Sequence, residues 1–154
     1  MTDLFHFEAD FVDSLRCIPM VVRLKLDTCG IKLKLAHWYQ LTPAERQQLV
    51  DLPCATGPEI DWYRTRLSAL LLERTGTPAM LVEATPLWLA PTVPETVQAQ
   101  AKHLGVAIHQ EQWATLTPLQ RFALLKLSRA SHENQNFLPA LREFGLVPCS
   151  EPEF

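Results

Sequence analysis

From Val21 to Leu35 apolar and basic residues alternate almost strictly: Val-Val-Arg-Leu-Lys-Leu-Asp-Thr-Cys-Gly-Ile-Lys-Leu-Lys-Leu. A period of two is the pattern of a half-buried strand, and this segment alone reads as a hairpin turning at Thr28-Cys29-Gly30. Elsewhere the pattern is helical. Ile60, Tyr63, Leu67, Leu70 and Leu71 form one apolar stripe at helical spacing, which predicts a helix from about Glu59 to Arg74 with Gly76 as its stop. Thr42-Pro43-Ala44-Glu45 and Thr117-Pro118-Leu119-Gln120 are both capping boxes with proline at the first helical position. They predict helices over about 43–51 and 118–128. A further helix is expected over Phe137 to Phe144, opened by Asn134 and Asn136 and stopped by Gly145.

An internal repeat settles the ambiguous segment. With residues 18–46 set above 93–121, Pro19 falls on Pro94, Val22 on Val97, Gly30 on Gly105, Trp38 on Trp113, Leu41 on Leu116, Thr42 on Thr117, Pro43 on Pro118 and Arg46 on Arg121. Unrelated segments of that length share about two identities at average residue usage. The second copy reads Pro-Glu-Thr-Val-Gln-Ala-Gln-Ala-Lys-His-Leu over 94–104, rich in Ala and Gln behind a proline. That composition suits a helix and not a strand. Pro19–Cys29 is then also helical, with Gly30 and Gly105 just past the helix ends and Ile31–Leu33 a short extended piece. Each tryptophan stands four residues before its capping threonine, where an aromatic side chain packs the helix entry against the core.

The expected fold is all-α: six main helices in two pseudo-symmetric three-helix halves, within a single domain over 1–154. Copy one spans about 15–76, a connector 77–92, copy two about 93–146, and the tail 147–154 is expected to fray. The connector carries Met80, Leu81, Val82, Trp88 and Leu89, which are expected to cover part of the core.

Composition narrows function more than fold. The 154 residues carry a net charge of −3, which argues against a general nucleic-acid binder. There is no apolar run of 18 residues, so no membrane span is expected. The opening Met-Thr-Asp-Leu-Phe-His-Phe-Glu has no basic segment leading into an apolar one, so no secretory signal is expected either. Five scattered glycines build neither a phosphate-binding loop nor a dinucleotide fingerprint, and no Gly-x-Ser-x-Gly elbow is present.

Cys17, Cys29 and Cys54 are the candidate ligands for a metal or cluster, but no Cys-x-x-Cys pair exists. A helix between Cys17 and Cys29 separates them by roughly 18 Å at 1.5 Å per residue. Two thiolates on one ion must lie within about 4 Å of each other, so reduced core thiols are expected instead. His37, His103, His109 and His132 form no recognised ligand motif; Ser131-His132-Glu133-Asn134 reads as a capping loop, with His132 and Glu133 the one candidate acid/base pair. Glu8, Asp10 and Asp13 are expected on a solvated face or paired with Arg16. Charge is also unevenly spread. Arg16, Arg23, Lys25, Lys32 and Lys34 crowd residues 16–34, whereas the second copy has Gln98, Gln100 and Ala107 opposite Arg23, Lys25 and Lys32. A scaffold basic on one half offers an asymmetric docking face for a partner.

Two long strings carry a family resemblance. Phe5-His6-Phe7-Glu8-Ala9-Asp10-Phe11-Val12-Asp13-Ser14-Leu15-Arg16-Cys17-Ile18-Pro19-Met20, continuing through Val22–Leu33, is one. Leu116-Thr117-Pro118-Leu119-Gln120-Arg121-Phe122-Ala123-Leu124, followed by Ser131–Leu141, is the other. Over about residues 5–146 the chain resembles the nitrate-reductase-associated protein family. The resemblance implies a cytoplasmic accessory factor, typical of cyanobacteria, that supports a ferredoxin-dependent, molybdenum-containing assimilatory nitrate reductase through assembly, maturation or stabilisation of its complex. It implies no enzyme activity, no catalytic residues and no cofactor of the chain's own, and nitrate reductase as partner. The alternative is a redox or metal-cofactor carrier using the cysteines of the N-terminal half.

Overall fold

The computed structural model describes residues 5–8, 15, 17–83, 86–129 and 135–147. The chain is mostly helical and forms two compact units, Met1–Thr85 and Pro86–Phe154, whose boundary falls inside the expected connector.

In the first unit the doubtful alternating segment is helical: α1 spans Met20–Cys29 and buries Met20, Val21, Val22, Leu26 and Cys29. It ends at Gly30, whose φ of 77° lies in the left-handed region and whose amide donates to the Leu26 carbonyl. A Cβ there would sit 2.9 Å from the Val82 carbonyl oxygen, so glycine is needed for space as well as for conformation. The extended piece after it is β1, Ile31–Lys32. It pairs antiparallel with β2, Met80–Leu81, Ile31 opposite Leu81 and Lys32 opposite Met80. The short helix α2, Leu35–Trp38, comes next. It is followed by α3, Pro43–Asp51, whose Thr42/Glu45 capping box is formed in both directions. The long helix α4, Gly57–Thr75, has a capping box of its own in Thr56/Glu59. Its stripe of Tyr63, Leu67, Leu70 and Leu71 joins Ile31, Trp38 and Leu49 in the core of this unit.

The second unit holds α5, Glu95–His103, α6, Gln110–Thr115, α7, Pro118–Leu127, and α8, Phe137–Glu143. The Thr117/Gln120 capping box opens α7. The core gathers Val97, Trp113, Phe122, Leu124, Leu127, Phe137 and Leu141. Trp88, on a 3-10 turn over Leu87–Leu89, meets Phe122 edge-on with ring centroids 5.1 Å apart.

Four expectations need correction. Eight α-helices, not six, stand among the described residues. The extra two, α2 and α6, carry the tryptophans and have four and six residues, too short for apolar periodicity to reveal. The helix expected from Glu59 begins at Gly57, because the cap is Thr56. Of the connector side chains expected to cover the core only Trp88 is buried; Met80, Leu81, Val82 and Leu89 are exposed. Lastly, Glu8 is not on a solvated face. It is 1% exposed, and its Oε1 accepts from the Met20 amide at 3.1 Å while Oε2 accepts from the Phe5 amide at 3.0 Å. The reason is local: Pro19, at the N-cap of α1, has no side chain able to cap. A carboxylate from 12 residues upstream satisfies the first amide of that helix, where its negative charge also meets the positive end of the helix dipole. Asn136 precedes α8 without making a side-chain cap bond. Asn134 and the tail 148–154 lie outside the described residues.

Candidate functional site

The polar side chains that the sequence set apart converge on the backbone of the fold itself. Trp38 is fully buried, and its indole Nε1 donates to the Leu15 carbonyl at 2.9 Å. Arg46, eight residues later on α3, lies 5.8 Å from the Trp38 ring centroid. Its guanidinium donates to three carbonyls: Nε to Trp38 at 3.1 Å, Nη2 to Tyr39 at 3.0 Å and Nη1 to Leu15 at 3.4 Å. Leu15 has a φ of 58°, a conformation that costs a non-glycine residue roughly 1–2 kcal/mol. The two donors on its carbonyl hold it there.

In the second unit, Trp113 Nε1 donates to the Ala90 carbonyl at 3.0 Å. Arg121 lies 5.3 Å from the Trp113 ring and donates through Nε to Trp113, through Nη1 to Trp88 and through Nη2 to Ala114. A planar guanidinium with five donors can bind three carbonyls at one helix corner, which a lysine cannot do. Arg46 and Arg121 coincide when residues 18–46 are set above 93–121, but nothing in the sequence said what they bind.

The five basic residues proposed for docking do not share one environment. Lys25 points inward. Its Nζ donates to the Val50 and Leu52 carbonyls, each at 2.6 Å, and lies 5.9 Å from the Tyr63 ring centroid. Tyr63 donates its hydroxyl to the Leu49 carbonyl at 2.8 Å. Together they satisfy the carbonyls at the C-terminus of α3, a helix that ends on Leu52 without a glycine. Arg23 is half-buried on α1, whereas Lys32 and Lys34 are exposed beside the exposed Leu35 and Tyr39. Arg16, like Asp10, Asp13, His132, Glu133 and Cys149, lies outside the described residues.

Cys17 lies in the bend before α1 and Cys29 is the last residue of α1, at opposite ends of that helix as expected. Cys29 is buried and Cys54 half-buried, and among the described residues no group of three His, Cys, Asp or Glu side chains is placed to hold a metal ion. Burial raises the Cys29 thiol above its ordinary range. Burial, with Cys29 nearby, pushes Cys54 up to about 11. Both are therefore protonated thiols at neutral pH, the form that neither attacks an electrophile nor ligates a metal well. Alkylation of Cys54 by iodoacetamide, followed by mass spectrometry, is expected to keep accelerating about tenfold per pH unit through pH 9 and 10. A rate that levels off near pH 8.5 would contradict this environment.

An open groove of about 710 Å³ lies at the C-terminal end of α1, lined by Asp27, Arg64, Leu81, Val82 and Glu83 among others. Arg64 is already engaged there, donating through Nε to the Cys29 carbonyl at 2.8 Å and pairing with Asp61 at 3.1 Å. A second open groove, of about 530 Å³, is lined by Thr96, Gln100, His103 and Ser128. Ser128 donates to the Leu125 carbonyl at 2.7 Å and lies 3.3 Å from the Thr96 hydroxyl. Among the described residues no helix is long and apolar enough to cross a membrane.

A sequence model of one protein family, described as conserved nitrate reductase-associated protein, matches residues 4–144. No curated protein and no solved structure matches the chain.

Proposed function

Since the chain belongs to the conserved nitrate reductase-associated protein family, we propose that it is an accessory protein of nitrate reductase that performs no catalysis of its own. It acts in the cytoplasm on assembly, maturation or stabilisation of the reductase complex, away from membranes and nucleic acid and without a cofactor. The observation that carries this reading is the family match over residues 4–144. The geometry is consistent with it. Arg46, Arg121, Lys25 and Glu8 bind backbone groups of the fold and so act as scaffold. Docking falls to the exposed basic residues Lys32 and Lys34 beside Leu35 and Tyr39, with Arg23 and Arg16 as further candidates. A basic and apolar surface of this kind suits an acidic region of the reductase.

The two halves are read as diverged copies of one unit. Support comes from the tryptophan–arginine corners. The bonds from Trp38 to Leu15 and from Arg46 to Trp38 and Tyr39 reappear 75 residues later as Trp113 to Ala90 and Arg121 to Trp113 and Ala114.

Capture of affinity-tagged chain from cells that contain active nitrate reductase tests the functional reading. The reductase is expected to co-elute in fixed proportion, and Lys32→Glu with Lys34→Glu is expected to reduce the yield several-fold. Absence of the reductase from the eluate, together with undiminished reductase activity in cells lacking the chain, would sink it.

A further inference from the structure

The strand β2 has an edge that nothing described in the chain covers. The Val82 amide donates to the Gly30 carbonyl at 2.9 Å. Pairs in an antiparallel ladder alternate between bonded and non-bonded. With Ile31 opposite Leu81 and Lys32 opposite Met80, the bonds to β1 come from Met80 and Val82. Leu81 therefore turns its amide and its carbonyl away from β1, and among the described residues neither group makes a backbone hydrogen bond. Three successive apolar side chains lie along this edge, Met80 47%, Leu81 69% and Val82 37% exposed. From Thr77 to Val82 the chain reads Thr-Pro-Ala-Met-Leu-Val, with no charge.

We propose that this edge is a homodimer interface, in which β2 pairs antiparallel with β2 of a second copy about a twofold axis through Leu81. The geometry is self-complementary. A bonded antiparallel pair exchanges two hydrogen bonds between two residues, and the outward amide and carbonyl of Leu81 are both satisfied by the same two groups of the second copy. Met80 then stands opposite the second copy's Val82 on an apolar strip, and Glu83 stands opposite its Ala79, so no like charges meet. The result is a four-stranded sheet in the order β1–β2–β2–β1, closed by the symmetry that most protein dimers use. The Thr77–Val82 stretch has no charge, and its own sequence, run antiparallel, matches it in hydrogen bonding and in apolarity. The strand is also held ready. The close approach of Val82 to Gly30 keeps it against the end of α1, so little ordering is needed on association.

Sedimentation velocity of the full chain across a concentration series tests this. The mass is expected to rise from 17.5 kDa towards twice that value. Leu81→Pro removes the outward amide without touching a bond to β1, and Leu81→Lys places two like charges across the axis. Each is expected to weaken the dimer roughly tenfold to a hundredfold, the equivalent of two lost hydrogen bonds, with an unchanged circular dichroism spectrum. As a readout independent of those variants, Leu81→Cys is expected to oxidise to an 81–81 disulfide dimer, because Cα atoms of a bonded pair lie about 5.5 Å apart. Glu83→Cys is not expected to do so. A monomer at every concentration overturns the proposal. So do variants that dimerise as well as the parent, or an 81–81 disulfide that forms no faster than the 83–83 one.

Discussion

Trp38→Ala and Trp113→Ala are each expected to destabilise the chain by about 3–5 kcal/mol, a third or more of the stability of an ordinary domain. Both side chains are fully buried, so truncation leaves a large cavity in a core that can only partly collapse. The indole donor is lost as well, which removes the 2.9 Å bond to the Leu15 carbonyl and leaves it only the longer one from Arg46 in one unit, and removes the bond to the Ala90 carbonyl in the other. The arginine stacked on each ring loses its platform and one wall of its site. Because the two corners share the indole bond and the arginine Nε and Nη2 bonds, the two substitutions are expected to cost similar amounts, although they lie in different compact units. Urea unfolding followed by far-ultraviolet circular dichroism measures both. A cost below about 1 kcal/mol at either site, the range of ordinary surface substitutions, would show that the corner does not support its unit.

Lys25→Met is expected to cost about 2 kcal/mol, in line with charge-assisted hydrogen bonds at a half-buried site. Methionine keeps the length and apolar body of the side chain. It removes the ammonium that serves the Val50 and Leu52 carbonyls at the end of α3. That end has no glycine to turn the chain back on itself, and its third carbonyl, Leu49, relies on the Tyr63 hydroxyl. A thermal melt therefore separates two roles for one residue. If Lys25 braces the fold, Lys25→Met lowers the melting temperature and Lys32→Glu, on an exposed side chain, does not. If Lys25 acted only at a docking surface, neither substitution would lower it.

Lys25 also shows where reading the sequence was incomplete. The aligned positions differ there, Lys25 against Gln100, and the asymmetry looks like surface charge until the end of α3 is seen to lie within its reach. Glu8 is similar. As one of four acids near the start it reads as solvated, and only the approach of the N-terminal turn to Pro19 makes it a cap. Pro19 was legible as a helix start, but a missing cap does not reveal which distant side chain replaces it. In contrast, Thr42/Glu45 and Thr117/Gln120 were legible to the residue, because a capping box closes within four consecutive positions.

That contrast marks the general division. The sequence by itself determined the features that close over a few residues: caps, glycine stops, the stripe on α4 and the helical state of the first segment, the last by its alignment with residues 93–121. Each is governed by local backbone geometry and by a period short enough to read along the chain. Tertiary structure alone decided which groups meet across long separations. It brought the Lys25 ammonium to Val50 and Leu52, the Arg121 guanidinium to Trp88, and the connector strand to Ile31 with its apolar edge facing outward. The physical reason is that a carbonyl orphaned at a helix end accepts any suitable donor. Which donor arrives depends on how the helices pack, and the packing answers to the whole core at once.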